Sequence, residues 1–109
     1  MKKLLTALIL LLVSSTSFAN GYCDGRPSQQ DQDTCYKVVI ETNNATIARR
    51  YTALMQSHKY TKQQKMNLQS NQKDWMLTVN SQCRTNSCVD NSMTDRIALL
   101  YREFEEHGK

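Results

Sequence analysis

Apolar residues are distributed unevenly along this chain. An almost unbroken apolar run occupies residues 4–13 and follows a start that carries two lysines. Ser17 and Ala19 then occupy the −3 and −1 positions of a cleavage site before Asn20. This order of charged, apolar and small residues predicts a cleaved secretory signal peptide at residues 1–19. The alternative is a membrane anchor, but a spanning helix needs about 20 apolar residues, roughly twice the length of this run.

Export bears directly on the cysteines, because all four lie in the mature segment, residues 20–109. In an oxidising compartment, an even number of cysteines in a small domain indicates disulfides. Four cysteines permit three pairings, and the geometry of helical hairpins favours Cys23–Cys35 and Cys83–Cys88. The alternative of a zinc site lacks close CxxC pairs, and the chain has two histidines. We therefore expect two disulfides, no metal, and a periplasmic or secreted protein without a membrane anchor.

The mature segment has the composition of a helical domain. Beyond an irregular arm at residues 20–27, neither Gly nor Pro occurs from Ser28 to His107. Their absence disfavours tight turns and favours helices joined by polar loops. Ser28 is suited to be the N-cap of a first helix. One face of this helix is formed by residues that recur at steps of three and four: Val39, Ile40, Asn43, Ile47, Tyr51, Leu54, Met55 and His58. Because Asn43-Asn44 weakens the middle of this pattern, it allows one bent helix or two short ones.

Two further helices are predicted after the first. Thr61 and Gln64 fit a capping box, which places the start of the second helix. Its inner face comprises Leu68, Gln72, Trp75, Met76, Val79 and Cys83. The third helix is expected from about Cys88 to His107, with a C-terminal cap at Gly108. Its apolar stripe comprises Val89, Met93, Ile97, Leu100, Tyr101 and Phe104. Since short loops place successive helices side by side, we predict an all-α fold, a small antiparallel bundle of about three helices held by disulfides.

The mature segment has a small net charge and few large apolar residues. The formal net charge of the whole chain is +4, and it falls to +2 without Lys2 and Lys3 of the signal segment. Such a weak field, with modest basic clusters at Arg49-Arg50 and at Lys59, Lys62 and Lys65, argues against a nucleic-acid partner. The thin core suggests that the domain depends on its disulfides to stay folded.

No catalytic motif is recognisable, since acyl-transfer triads, HExxH, a P-loop and GxGxxG are all missing. His58 is expected at the edge of the first helix's apolar face, and His107 near a helix C-terminus, where a cation is favourable. The carboxylates are interpreted as isolated (Glu41, Asp74, Asp90, Asp95) or as a solvated acidic end (Glu103, Glu105, Glu106). A small hydrolase or redox enzyme is the weaker alternative. We expect a binding module that has neither catalytic activity nor a cofactor.

A longer pattern links the three predicted helices. It consists of Cys35-x15-Tyr51, Leu68-x3-Gln72-x2-Trp75-x7-Cys83, Cys88 and Arg96-Ile97-x2-Leu100. This pattern resembles the LprI-like lysozyme-inhibitor N-terminal domain family over about residues 23–104. The chain departs from the family where Val79-Asn80 replaces Arg-Asp, where Val89 replaces Leu, and where Met93 replaces Tyr.

The resemblance implies a helical envelope protein that binds a lysozyme and blocks it by occluding its cleft, without turnover. The alternative is an envelope structural or stress-related protein whose protein partner is not a lysozyme. The matching residues are expected to be architectural: Tyr51, Leu68, Gln72, Trp75, Arg96, Ile97 and Leu100.

Two groups of residues carry more specific expectations. Gln72 and Arg96 are expected to make a buried hydrogen bond, or a cation–π contact with Tyr51 or Trp75. Partner contact is assigned to the loop formed by Arg84, Thr85, Asn86 and Ser87. A Cys83–Cys88 disulfide would hold that loop rigid and so lower the entropic cost of binding.

Overall fold

The computed structural model describes residues 22–109, and this part of the chain is all-α, as the sequence predicts. The helices are α1 (Gln29–Gln56), α2 (Lys62–Gln82) and α3 (Asn86–Glu103), and α3 runs on into a π-helical turn, Phe104–Gly108. The predicted signal peptide lies outside the described residues. None of the helices in the described part combines the length and apolar character that crossing a membrane requires.

The first helix is continuous, so the structure decides between the two possibilities that the sequence allows. Ser28 caps it as predicted, since its hydroxyl accepts a hydrogen bond of 3.1 Å from the Asp31 backbone N–H. The Asn43 side chain does not interrupt the helix, because its amide donates across to the Asp90 carboxylate of α3 at 2.8 Å. A side chain with a tertiary partner no longer competes for the local backbone. Asp90, interpreted as isolated, is therefore an interhelical acceptor.

The end of α1 differs from the sequence prediction. The helix stops at Gln56, so His58 is not part of its apolar face but lies exposed in the connection to α2. Tyr60 occupies the inner position instead and is buried in the core. The periodic pattern missed Tyr60 because it lies in a loop, where helical spacing carries no information.

The capping box at the start of α2 is confirmed. The Thr61 hydroxyl accepts from the Gln64 backbone at 3.1 Å, and the Gln64 side chain accepts from the Thr61 backbone at 2.8 Å. Met76, expected on the inner face, is exposed. Leu68 and Trp75 pack against the core from this helix, whereas Met76 lines an open groove between α1 and α2.

The third helix begins slightly earlier than expected, and its last part, Phe104–Gly108, is a π-helical turn. Thr85 is its N-cap and accepts from the Cys88 backbone at 3.1 Å, so α3 begins at Asn86 rather than Cys88. Tyr101, expected on the inner stripe, is exposed. Its ring faces the Arg50 guanidinium at 5.0 Å, which gives it a surface partner in place of a core position.

The predicted C-terminal cap at Gly108 does not have the left-handed conformation typical of such glycines, since no residue in the described part has a positive φ. The chain continues past Glu103 as a π-helical turn that buries Gly108. A Cβ at this position would lie 2.8 Å from Phe104 Cδ2 and 3.0 Å from Leu54 Cδ2. The glycine therefore allows a close approach between the end of the chain and α1, where the Ser57 hydroxyl donates to the Gly108 carbonyl.

The core runs between α1 and α3 and is closed by the α1–α2 connection. Its buried members are Ile47, Leu54, Tyr60, Leu68, Met93 and Leu100. Partly buried side chains from all three helices pack around them, including Tyr51, Trp75 and Ile97. Of the residues in the family pattern, Leu68 and Leu100 are in the buried set, and Tyr51, Trp75 and Ile97 are in the surrounding one.

Both predicted disulfides are present, Cys23–Cys35 and Cys83–Cys88, each with Cα atoms 5.4 Å apart. The first fastens the irregular arm to the start of α1, and the second closes the connection between α2 and α3. Because the helices are antiparallel, both disulfides lie at the same end of the bundle, which we call the disulfide end. The π-helical turn lies at the other end.

Candidate functional site

The disulfide end carries an open cleft of about 600 Å³. One wall comes from the arm and the first turns of α1, and includes Asp24, Asp33 and Tyr36. The other wall is the segment Arg84–Ser87, which we expect from the sequence to contact a partner. The cleft thus combines two segments that are far apart in sequence, each held by its own disulfide.

The segment Arg84–Ser87 is more regular than the predicted loop. Arg84 and Thr85 form the connection, whereas Asn86 and Ser87 already belong to the first turn of α3. Arg84 is exposed, and its Nη1 donates to the Ser81 carbonyl at 2.8 Å. With the Thr85 cap on one side and the Cys83–Cys88 disulfide around it, the segment has few conformations left to lose on binding.

The opposite wall depends on Tyr36 and Asp24. Tyr36 is buried, and its hydroxyl donates to Asp24 Oδ1 at 2.7 Å. Burial, together with the hydrogen bond to Asp24, raises the pKa of Tyr36, so the phenol stays protonated and remains a donor. Gln32 supports the same segment, because its amide donates to the backbone carbonyls of Asp24 and Arg26 at 3.3 and 3.1 Å.

Asp24 and Tyr36 are not among the residues that the sequence pattern predicts for the site. Each is the neighbour of a cysteine, Asp24 of Cys23 and Tyr36 of Cys35, and those two cysteines form one disulfide. Once the pairing is known, proximity of the two side chains follows. The position of Asp24 and Tyr36 next to paired cysteines is therefore the sequence feature that predicts their proximity.

A second polar cluster lies between α2 and α3, and it unites three residues of the family pattern. Arg96 is buried, its Nε donates to Gln72 Oε1 at 2.7 Å, and its guanidinium lies 5.6 Å from the centroid of the Trp75 ring. Asn71, outside the pattern, accepts from Nη1 at 2.5 Å. Both contacts expected for Arg96 are thus present, with Trp75 rather than Tyr51 as the aromatic partner.

Tyr51 instead lines a mostly apolar groove of about 530 Å³ between α1 and α2. Ile47, Trp75 and Leu77 line the same groove. Asn80, one of the two positions that replace the family's Arg-Asp pair, also lines this groove and is exposed. The other, Val79, is half-buried.

The acidic end differs in part from the solvated surface predicted for it. Glu103 is half-buried and accepts a hydrogen bond from Tyr60. Glu105 forms an exposed ion pair with Lys109 at 2.9 Å. Glu106 lies 3.8 Å from His107 in the π-helical turn, where both side chains are exposed. Two of these carboxylates are therefore engaged by other side chains at short range.

Within residues 22–109, no group of three or more His, Cys, Asp or Glu side chains is placed to hold a metal ion. Comparison with known families is informative: residues 23–101 match the family model described as "Lysozyme inhibitor LprI". The matched range includes both disulfides, both walls of the cleft and the Arg96 cluster. No curated protein and no solved structure matches the chain.

Proposed function

The chain belongs to the lysozyme inhibitor LprI family, and from this premise we propose that it is an exported protein that inhibits a lysozyme stoichiometrically by covering its cleft. The match over residues 23–101 is the observation that carries the proposal. Export agrees with the two disulfides, which are stable outside the reducing cytosol. The protein then acts as a binding partner and turns nothing over.

The contact surface in this proposal is the disulfide end, with the segment Arg84–Ser87 at its centre. Lysozyme cleaves a glycosidic bond with two carboxyl groups that flank the scissile bond. Arg84 offers an exposed guanidinium on a rigid segment, and a guanidinium pairs well with carboxylates. Insertion of this segment would place a cation against the catalytic carboxylates and exclude the substrate.

The acidic end is the competing surface. It would attract a basic lysozyme, but Glu103 and Glu105 already have partners within the chain. Their availability for a second partner is reduced, since each would have to give up or share an existing contact. The rigid segment at the disulfide end is therefore the better candidate.

Inhibition itself is tested by titrating the oxidised mature protein, residues 20–109, into a lysozyme turbidity assay. We expect lysis to fall linearly and to reach its minimum near equimolar protein. Undiminished lysis at a large excess of protein would remove the inhibitor proposal and leave an envelope protein with another partner.

The contact surface is tested separately with charge-removing variants. Arg84→Ala should weaken inhibition at least about tenfold, in line with the loss of one charge-assisted contact. Arg102→Ala is the matched control, because it removes an exposed arginine of α3 at the other end of the bundle. If the double variant Glu105→Gln/Glu106→Gln weakens inhibition and Arg84→Ala does not, the acidic end is the contact surface.

A further inference from the structure

A buried arginine without an anionic partner lies between α2 and α3. Arg96 is 4% exposed and is the one charged side chain classed as buried among the described residues. Its two side-chain partners, Gln72 and Asn71, are neutral amides. Within residues 22–109, the ion pairs involve other residues, so no carboxylate is paired with this guanidinium.

The guanidinium also has an unused donor. Arginine carries five N–H donors, and Nη2 of Arg96 has neither accessible surface nor a hydrogen-bond partner. Burial of a charge is unfavourable unless it is paired and hydrogen-bonded. Amide oxygens and the Trp75 ring compensate the charge only in part. An arginine that served helix packing alone could be replaced by an uncharged side chain of similar volume without this cost.

Arg96 is also part of the wall of a small cleft that opens between α2 and α3. The cleft has a volume of about 280 Å³ and is lined by Trp75, Ser92, Asp95, Arg96 and Leu99. The aromatic and aliphatic side chains provide an apolar wall, and Ser92 provides a hydroxyl. We call this the Arg96 cleft.

We infer that the Arg96 cleft binds a monocarboxylate, whose oxygens accept hydrogen bonds from the Arg96 guanidinium while its alkyl part packs against Trp75 and Leu99. Carboxylate and guanidinium match in charge and in the spacing of their hydrogen-bonding atoms. Asp95 at the same cleft disfavours a dianion, because each added negative charge is repelled by its carboxylate. Since Nη2 is covered in this structure, binding includes a shift of at least one lining side chain.

The carboxylate that binds Arg96 comes from one of two sources, a small organic acid or a side chain of a bound protein. The inference does not depend on lysozyme inhibition, because the cleft is on the side of the bundle and shares no lining residue with the cleft at the disulfide end. Failure of one proposal therefore leaves the other standing.

Trp75 makes the inference directly measurable, because it is the single tryptophan of the chain and lies against Arg96. Sodium acetate is titrated into the oxidised mature protein at constant ionic strength, with sodium chloride as the balancing salt. We expect a saturable change of tryptophan emission with acetate. A response that does not saturate, or no response, would overturn the inference.

Three variants identify the site. Arg96→Gln should abolish the saturable response. Asp95→Asn should tighten acetate binding about threefold or more, since it removes a like charge from the cleft, and this exposed substitution leaves the fold intact. Asp74→Asn is the control, because Asp74 is also exposed and precedes Trp75 but does not line the cleft. Equal acetate affinity in Asp95→Asn and wild type would contradict the inference even if Arg96→Gln fails to fold.

The source of the carboxylate is distinguished by repeating the lysozyme titration with acetate at saturation. Weaker inhibition in acetate than in chloride would assign the cleft to a carboxylate of the bound protein. Unchanged inhibition would assign it to a small organic acid that binds independently of the protein partner.

Discussion

Tyr60 Oη donates a hydrogen bond of 2.9 Å to Glu103 Oε1, and this contact ties the α1–α2 connection to the end of α3. Tyr60 is 4% exposed, so its ring belongs to the core while its hydroxyl reaches the half-buried carboxylate. The disulfides lie at the opposite end of the bundle. At the end of the bundle that has no disulfide, the Tyr60–Glu103 hydrogen bond therefore joins the α1–α2 connection to α3 non-covalently.

Tyr60→Phe should lower the free energy of unfolding by about 1.5 kcal/mol, because it removes a hydrogen bond to a charged acceptor while the ring stays packed. The measurement is urea denaturation followed by circular dichroism. Tyr101→Phe is the control, since this ring is exposed and its contact with Arg50 needs no hydroxyl. An unchanged urea midpoint for Tyr60→Phe would contradict the importance of this contact.

Stability should decline at alkaline pH because of Tyr60. Burial, followed by the hydrogen bond to Glu103 and its negative charge, raises the pKa of Tyr60 well above its ordinary value of 10.0. The folded protein then holds the phenolic proton longer than the unfolded chain does. The stabilisation is complete below pH 10 and is lost as the pH rises above it, with a slope of up to about 1.4 kcal/mol per pH unit.

This pH dependence is measured by urea denaturation of wild type and Tyr60→Phe between pH 8 and about pH 11.5. The variant should show a shallower decline above pH 10, and the remaining slope should come partly from Tyr36, whose pKa is also raised. Parallel curves for the two proteins would show that Tyr60 does not titrate differently on unfolding.

Leu54→Ala should be the most damaging single truncation in α1. Leu54 is 0% exposed and lies against Gly108 of the π-helical turn. Because the side chain is fully enclosed, its truncation leaves a buried cavity. A loss of about 3 kcal/mol is expected from the removed methyl groups and the cavity they leave. Thermal denaturation of the oxidised protein measures it.

Leu77→Ala provides the comparison for Leu54→Ala. Leu77 is 57% exposed on α2, and the same chemical change there should alter the free energy of unfolding by less than about 0.5 kcal/mol. Similar losses at both positions would mean that α2 packs against α1 more tightly in solution than its exposed leucine indicates.

The two disulfides should differ in their contributions to stability. Cys83–Cys88 closes a separation of 5 residues and Cys23–Cys35 one of 12. In the chain-entropy account, the first contributes about 2 kcal/mol and the second about 3 kcal/mol. Denaturation of Cys83→Ser/Cys88→Ser and Cys23→Ser/Cys35→Ser tests this order. The reverse order would show that strain or residual structure outweighs loop length.

The parts of the site that could be predicted from the sequence are those with short-range causes. The enclosure of the segment Arg84–Ser87 by two cysteines is visible in the sequence, and the positions of Gln72 and Arg96 beside apolar faces predict a buried polar role for both. Asp24 and Tyr36 belong to no apolar pattern, and their contact follows only from the Cys23–Cys35 disulfide, which brings the arm onto α1. Periodicity also leaves the rotation of a helix about its own axis uncertain by part of a turn. The predicted inner faces therefore include Met76 and Tyr101, which are exposed in the structure.

The starts of α1 and α2 and the preferred pairing of the cysteines follow from the sequence. The caps at Ser28 and Thr61 act within one helical turn, and both disulfides join residues that are close along the chain, so local chemistry suffices. Tertiary structure alone decided that Tyr60 reaches Glu103 and that Asn43 reaches Asp90. It also decided that Arg96 is buried without a counter-ion. These outcomes depend on the rotation and offset of whole helices, which are set by the summed packing of the core rather than by any short stretch of residues.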